Sequence, residues 1–505
     1  MSRRSLPSAA SPARLTPNRS AVWLTDPGVC AARRRCGRKL AMMTRRSFLS
    51  ALGAAPLIGQ NRRPPNVLFL AADDMNNALG CYGHPRVKSP NIDALAARGV
   101  LFERAYCQFP LCGPSRASLL LGLRPDTTRV LANNVDFRDF HPNAVTLPQL
   151  FKNNGWFSAR EGKMFHMNVP GGVGTPQFQD EPSWNHSVSP PGLEAKTPGE
   201  GRRLNPPGVN FGMQWIAAAT DKGQADTTAA DHALALLEQH KDRPFFLAVG
   251  FVRPHLPFVA PSRFYDLYPL NTIEVPKNPP NDLDDIPEAS KSVRPHLWHN
   301  MKMDEPRIRE ALRGYWASTS YMDDQLGRVM RGMEKMGLAS NTIVVFWGDH
   351  GWHLGEHTRW QKMSLMEESA RVPLIIAAPG RKGNGKPSRA LVEFVDVYPT
   401  LAELCGIRPP DNLEGQSLAP LLDNPARPFK KAAFTQLLYE DITGRSVRTA
   451  RYRYIRWEGR GGGEELYDHE TDPREFTNLA LKPEARRVLE EHRKILDAGW
   501  RAARA

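Results

Sequence analysis

Two pairs of residues in this sequence are placed to hold a metal ion. Asp73 and Asp74 follow directly on the apolar run 66–72, and Asp349 and His350 follow directly on a second such run, 341–348. Adjacent carboxylates repel each other, a divalent cation relieves the repulsion, and their hard oxygens suit Ca2+ or Mg2+. Either pair alone reads equally well as a solvated turn after a strand. Their recurrence behind two buried strands brings three carboxylates and an imidazole to one sheet edge, where open α/β sheets bind ligands. A third candidate is Cys112, which opens Cys112-Gly113-Pro114-Ser115-Arg116 ahead of an apolar stretch closed by Gly122. Pro114 is tolerated in the first turn of a helix, so Cys112 is expected at or just before a helix N-terminus. Free N–H groups and the helix dipole there favour anions and would prime a thiol. The plain alternative is a buried structural cysteine. Further along stand Lys163, His166, His255 (flanked by Pro254 and Pro257) and Lys362. Taken singly, His255 reads as an ordinary loop histidine and Lys362 as surface charge.

The elements that must position these groups follow from periodicity. The runs 66–72, 244–251 and 341–348 are continuously apolar at strand length, as expected for central strands covered on both faces. Strands are also expected over 100–106 and 372–378. A helix capped by Ser89 should stop at Gly99, and others should run over 145–154, 227–240, 306–336 and, apart from Pro399, 391–404. Two Pro/Gly-rich stretches with little periodicity, 167–222 and 259–303, read as long excursions near the site. From about 424, short β-like runs at 432–438, 448–449 and 452–457 alternate with polar turns, and a helix from about Pro483 closes the chain. The expected fold class is therefore α/β: a large central, mostly parallel sheet in a unit spanning 64–423, and a smaller antiparallel-sheet subdomain over 424–505.

A net charge of +14 suggests a nucleic-acid partner, but the distribution of charge removes that reading. Residues 1–63 hold thirteen Lys/Arg and one Asp, a net of +12, leaving +2 for residues 64–505. Within this leader, Arg45 and Arg46 precede a short, weakly apolar run ending at Gly59, the pattern of a twin-arginine export signal over 42–60. A disordered basic tail is the alternative. Translation is expected to start at Met42 or Met43, with 1–41 a leader outside the fold, and the protein to be exported to the periplasm or cell envelope. No stretch reaches the roughly 20 consecutive apolar residues of a membrane span. Six cysteines do not make a disulfide framework at this length, and a single Cys81–Cys107 bridge stays open.

Cys112, Pro114, Ser115 and Arg116 resemble the signature of the type I sulfatases, in which that cysteine is oxidised to formylglycine (3-oxoalanine). The resemblance covers nearly all of residues 64–505 and narrows to iduronate-2-sulfatase-like members. That narrower match is carried by Gly80-Cys81-Tyr82-Gly83, Arg124-Pro125-Asp126-Thr127-Thr128-Arg129, Gly162-Lys163-Met164-Phe165-His166, Pro254-His255-Leu256-Pro257-Phe258 and the run from Asp349 to His357. It implies an alkaline-phosphatase-like α/β sandwich, and Ca2+ held by Asp73, Asp74, Asp349, His350 and the modified Cys112. It places Lys163, His166, His255 and Lys362 around the sulfate, with Arg116 supporting the formylglycine. The implied partners are a formylglycine-generating maturation system and a sulfated saccharide, with exo-removal of a 2-O-sulfate from a uronic acid as the specific reaction. Trp352, directly after Gly351, is expected to offer its face to a sugar ring. Arg253 or Lys362 would hold the uronate carboxylate.

A sulfate ester resists attack because its oxygens are anionic, so a cation and positive side chains must neutralise charge that shifts in the transition state. In the implied mechanism one hydroxyl of the hydrated aldehyde attacks sulfur, His255 protonates the leaving oxygen, and His166 takes the proton of the second hydroxyl. A serine could perform the first step but not the elimination that releases sulfate. Two other readings share parts of this pattern. A formylglycine-dependent phosphonate or phosphodiester hydrolase would use the same motif and metal. A non-catalytic sulfated-glycan-binding protein would keep Cys112 as a thiol and need no leaving-group acid.

Overall fold

In the computed structural model, residues 63–205 and 213–504 are described; the leader and the expected export signal lie outside the described residues. Nine strands form the main sheet. Its order is Arg371–Val372, Val100–Tyr106, Leu374–Ala377, Thr342–Gly348, Asn66–Asp73, Phe245–Pro254, Phe157–Gly162 and His186–Val188, with Pro387–Glu393 also paired to Val100–Tyr106. Along Asn66–Asp73, Val67, Phe69 and Ala71 pack into one apolar cluster and Leu68, Leu70 and Ala72 into another. The two-residue period therefore has apolar positions on both faces, which is why the strand reads as an unbroken apolar run. The helices Cys112–Leu121, Leu147–Asn153 and Val397–Leu404 cover the first face, and Ala225–His240 and Glu305–Lys335 the second.

The sheet is mixed. From Thr342–Gly348 across to His186–Val188 every pairing is parallel, but Leu374–Ala377 runs antiparallel to both of its neighbours. Parallel strands need a crossover to return the chain to its starting edge. Residues 349–370 make none: they stay at the carboxyl edge, and the chain re-enters the sheet there, running backwards. The expected 372–378 strand is split at Pro373, which has no N–H for the ladder. The expected helix 391–404 is also corrected. Pro387–Glu393 is a strand, Phe394–Asp396 a single 3-10 turn, and the α-helix begins at Val397, so that Pro399 sits in its first turn.

The two excursions carry structure that their composition hides. His186–Val188 extends the main sheet, and Gly199–Arg203, Gln214–Ala218 and Phe258–Pro261 form a separate three-stranded sheet. The C-terminal sheet is fully antiparallel: Ala433–Tyr439, Ile442–Arg448, Tyr452–Glu458 and Gly463–Asp468, with the helix Arg486–Ala502 packed on it. Only the end of its second strand was visible, because Thr443, Gly444, Arg445 and Ser446 lack an apolar signal. Cys81 and Cys107 are free thiols, so the bridge left open by the sequence is not formed.

Candidate active site

Asp73 ends its strand, and Asp349 follows the neighbouring parallel strand, where Ala72 pairs with Gly348; register sets the two carboxylates side by side. The pairing of Asn66–Asp73 with Phe245–Pro254 slips between Ala72 and Asp73, and Asp74 then turns into the left-handed region at φ 58°. That turn is held from two sides. The Asp74 N–H donates to Asp349 Oδ1 (2.9 Å), and the Tyr315 hydroxyl donates to the Asp74 carbonyl (2.8 Å). Lys163 follows Phe157–Gly162 and His255 follows Phe245–Pro254, so four adjacent parallel strands deliver groups to one edge. Gly162 and Gly250 permit the close approach there. A Cβ on Gly162 would strike the Gly250 carbonyl oxygen, and one on Gly250 would strike that of Lys163.

Cys112 is the first residue of the helix Cys112–Leu121, which ends at Gly122 in the left-handed conformation. Its Sγ marks where a formylglycine oxygen would stand. It lies 3.2 Å from His350 Nε2, 3.3 Å from Lys362 Nζ and 3.8 Å from Asp74 Oδ1. One turn along, the buried Arg116 ties the floor of the site together. Nε donates to Asp349 Oδ2 (2.9 Å), Nη2 to Asp73 Oδ1 (3.1 Å), and Nη1 to the carbonyls of Lys163 (2.8 Å) and Met164 (3.1 Å). Lys163 Nζ donates to Asp73 Oδ2 at 2.7 Å and Lys362 Nζ to Asp74 Oδ1. His255 Nε2 is 3.4 Å from Asp74 Oδ2. In His255 and His350 the Nδ1 faces a backbone carbonyl, of Leu256 (2.7 Å) and Gly351 (2.9 Å), which places the proton there and leaves Nε2 toward the carboxylates.

The charges are unequally balanced. Burial pushes the Asp73 carboxyl up, but Lys163, His255, Arg116 and Lys362 together hold it well below the usual carboxylate range. His350 and Arg116 likewise win over burial at Asp349. At Asp74 the outcome reverses: burial, with repulsion from Asp73 and Asp349, outweighs Lys362 and His350 and raises it. Its Oδ2 is buried with no hydrogen-bond donor. Ligand atoms of Asp73, Asp74 and Asp349 lie within 4.8 Å of one another, as do those of Cys112, Asp349 and His350. Three hard carboxylates around an undonated oxygen fit a divalent cation such as Ca2+. Burial pushes the Cys112 thiol well up, Asp73 and Asp349 adding to it against Lys163 and Lys362. The helix N-terminus therefore does not prime this thiol as expected, and an unmodified Cys112 is a poor nucleophile. Burial, with Lys362 at His255 and Lys163 at His166, brings both imidazoles down to about 3.

Above the carboxylates opens a cavity of about 640 Å³, lined by Asp74, Cys112, Lys163, His166, His255, Trp352 and Lys362, among others. Asp73, Arg116, Asp349 and His350 are buried behind it. Both excursions supply walls: Asn168, Phe178, Arg203 and Gln214 from the first and Arg294 from the second. Arg253 is placed differently from expectation. It is buried, paired with Glu194, and donates to the His255 carbonyl (2.8 Å), so it braces the His255 turn instead of facing a substrate. Trp352 is 1% exposed, lies parallel to Tyr315 at 6.4 Å, and has Lys362 Nζ 5.4 Å from its ring centroid. It supports Lys362 and presents no open platform. Tyr315, Arg294 and Asn133, which accepts the Gly113 N–H (2.9 Å), were missed. Tyr315 looks like any core aromatic of a long helix, and the other two sit in stretches without periodicity.

The Sulfatase family model matches residues 65–407, and that for "N-sulphoglucosamine sulphohydrolase, C-terminal" matches residues 355–500. A sulfatase of Formosa agariphila is 33% identical over 87% of this chain and 88% of its own length. Iduronate 2-sulfatase of Mus musculus is 32% identical over 86% of this chain and 94% of its own. Among solved structures, a phosphonate monoester hydrolase of Agrobacterium radiobacter aligns with a TM-score of 0.71 at 23% identity, covering 87% of this chain and 95% of that one, a likeness of fold alone. The α/β architecture and the carboxylate-floored site define a hydrolase of anionic esters. The chain belongs to the sulfatase family, as a sulfuric ester hydrolase.

Proposed function

We propose that this enzyme removes the 2-O-sulfate from a uronic acid at the non-reducing end of a sulfated saccharide, with Cys112 matured to formylglycine. One observation carries the reading: Lys163, His166, His255 and Lys362 converge with Cys112 on a single cavity walled by both long excursions. A walled pocket admits a chain end more readily than the middle of a polymer. Similarity to an iduronate 2-sulfatase over most of both chains supports the sugar.

Asp73, Asp74, Asp349, His350 and residue 112 would hold Ca2+, which supplies positive charge opposite the sulfate oxygens when bound. Formylglycine supplies a hydroxyl nucleophile that the raised thiol cannot replace. Lys163 and Lys362 neutralise the sulfate oxygens from either side. Arg116 fixes Asp73 and Asp349 and positions Lys163 through its carbonyl. His255, its ring fixed on the Leu256 carbonyl, serves the leaving oxygen as proton donor in its imidazolium form, which the sulfate anion favours by offsetting Lys362. His166 has an unpartnered Nδ1 and acts as the proton acceptor that lets sulfate depart. The catalytic part comprises 64–423 and the accessory sheet 424–505.

Among the described residues no helix is long and apolar enough to cross a membrane. Arg45 and Arg46 support export to the periplasm or envelope; replacing both by Lys should block it, and unimpaired export would remove the twin-arginine reading. For the activity, sulfate release is compared on 2-O-sulfated uronate disaccharides, 6-O-sulfated hexosamines and choline sulfate, alongside hydrolysis of a phosphate diester. The uronate should be preferred. Preference for choline sulfate or the diester would overturn the carbohydrate assignment, and preference for the hexosamine would remove the uronate alone.

A further inference from the structure

Arg294 lines the catalytic cavity from the second excursion and has no part in the chemistry above. Its backbone is left-handed, at φ 50° and ψ 63°, a conformation that a long side chain keeps only where its surroundings impose it. They do so here. Val293 is buried in one apolar cluster with Leu111 and Met363, the neighbours of Cys112 and Lys362. The Val293 carbonyl accepts Arg359 Nη1 (3.2 Å), while Arg359 Nη2 donates to the carbonyls of Lys362 (3.2 Å) and Met363 (2.8 Å). Arg294 is thus locked in register with the nucleophile position and with a lysine of the sulfate site.

Its charge has no counter-ion among the described residues. Among the described residues no carboxylate lies within ion-pair distance of the guanidinium, and its Nε is buried without an acceptor. Arg359 behind it donates to backbone carbonyls and lies over the Trp298 ring, with no carboxylate in ion-pair reach among the described residues. Burial and the Arg294 charge bring Arg359 down to about 9, and burial with both arginines depresses His296. Lys163 and Lys362, by contrast, already face Asp73 and Asp74. This wall therefore carries positive charge that the protein leaves unmatched, a costly arrangement unless a ligand brings the anion. A guanidinium offers the planar fork that a carboxylate fits.

We propose that Arg294 receives the carboxylate of the 2-sulfated uronic acid and is the residue by which this sulfatase selects a uronate over a neutral sugar. The assignment rests on the uronate reading given above. The test compares a 2-O-sulfated uronate disaccharide with its carboxyl-reduced counterpart, in wild type, Arg294→Ala and Arg294→Lys. In Arg294→Ala the ratio of kcat/KM for the two substrates should fall about 10- to 100-fold, mostly through KM, as expected for losing a hydrogen-bonded charge partner. Arg294→Lys should recover part of it. A proportional loss on both substrates, leaving the ratio unchanged, would overturn Arg294 as the carboxylate receptor while leaving the uronate specificity standing. Wild type that favours the carboxyl-reduced substrate would instead overturn the uronate reading itself, and this assignment with it.

Discussion

Arg116→Ala is the most exacting perturbation of the site. The guanidinium is wholly buried and makes four hydrogen bonds, two of them to carboxylates that are themselves wholly buried. Its loss leaves Asp73 paired with Lys163 alone and removes the cation beside Asp349 Oδ2. Breaking a buried pair by removing one partner costs about 3–5 kcal/mol. In a chain of this size each kcal/mol shifts Tm by roughly 1 °C, so the fall should be about 3–5 °C. Calcium should recover part of it, because a bound cation takes over some of the neutralisation; saturation at 100 Kd contributes about 2.7 kcal/mol. Thermal melts with Ca2+ and with chelator measure both effects, and sulfate release should fall at least 100-fold as Lys163 loses its brace, on the order of 3 kcal/mol of transition-state stabilisation. Arg116→Lys, which keeps the charge but not the fork, should lie between. A variant melting within about 1 °C of wild type would refute the reasoning, for a buried carboxylate stripped of its cation would then cost nothing.

Asp74→Asn separates charge repulsion from metal binding. With chelator present it should be at least as stable as wild type, since the raised Asp74 is the carboxylate that its neighbours disfavour; with Ca2+ the stabilisation seen in wild type should shrink and turnover vanish. An unchanged calcium-induced rise in Tm would exclude Asp74 as a ligand. Cys112→Ser should fold and stall after one sulfate transfer, trapping a covalent ester visible by intact mass, and steady turnover would exclude formylglycine chemistry. His357 provides a pH test away from the site. Burial opposes its charge, but Asp282, 3.1 Å from Nδ1, and Glu368 bring it up to about 9. A folded value above the ordinary 6.5 stabilises fully below about 6.5 and is lost as pH rises through 9, an effect of about 3 kcal/mol. The Tm gap between wild type and His357→Gln should therefore be wide at pH 6 and close by about pH 10, and a gap independent of pH would contradict the pairing.

The ends of the central strands were legible because a strand buried on both faces has to be apolar throughout, so the first acids after it stand out. Asp73, Asp74 and Asp349 were found in this way, and the structure brings them together. What they do to one another was not legible. The slip after Ala72, the left-handed turn of Asp74 and the raised Cys112 thiol all depend on burial and on partners distant in sequence, such as Tyr315 and Arg116. Helix Val397–Leu404 was overextended backwards because Ala390, Leu391, Val392 and Phe394 are apolar under either period. Arg253 and Arg294 are indistinguishable by type. Only packing shows that the first is matched by Glu194 and that the second reaches the cavity without an acid.

The most direct measurement is the mass of residue 112 in enzyme that releases sulfate. Trypsin cuts after Arg104 and Arg116, giving a peptide, 105–116, that holds both Cys107 and Cys112. After denaturation and alkylation, Cys107 should appear as an alkylated thiol, an internal control, while residue 112 should appear as an aldehyde that forms a hydrazone. Active enzyme whose peptide carries two alkylated thiols, with no aldehyde fraction to match its activity, would contradict a formylglycine nucleophile in this site.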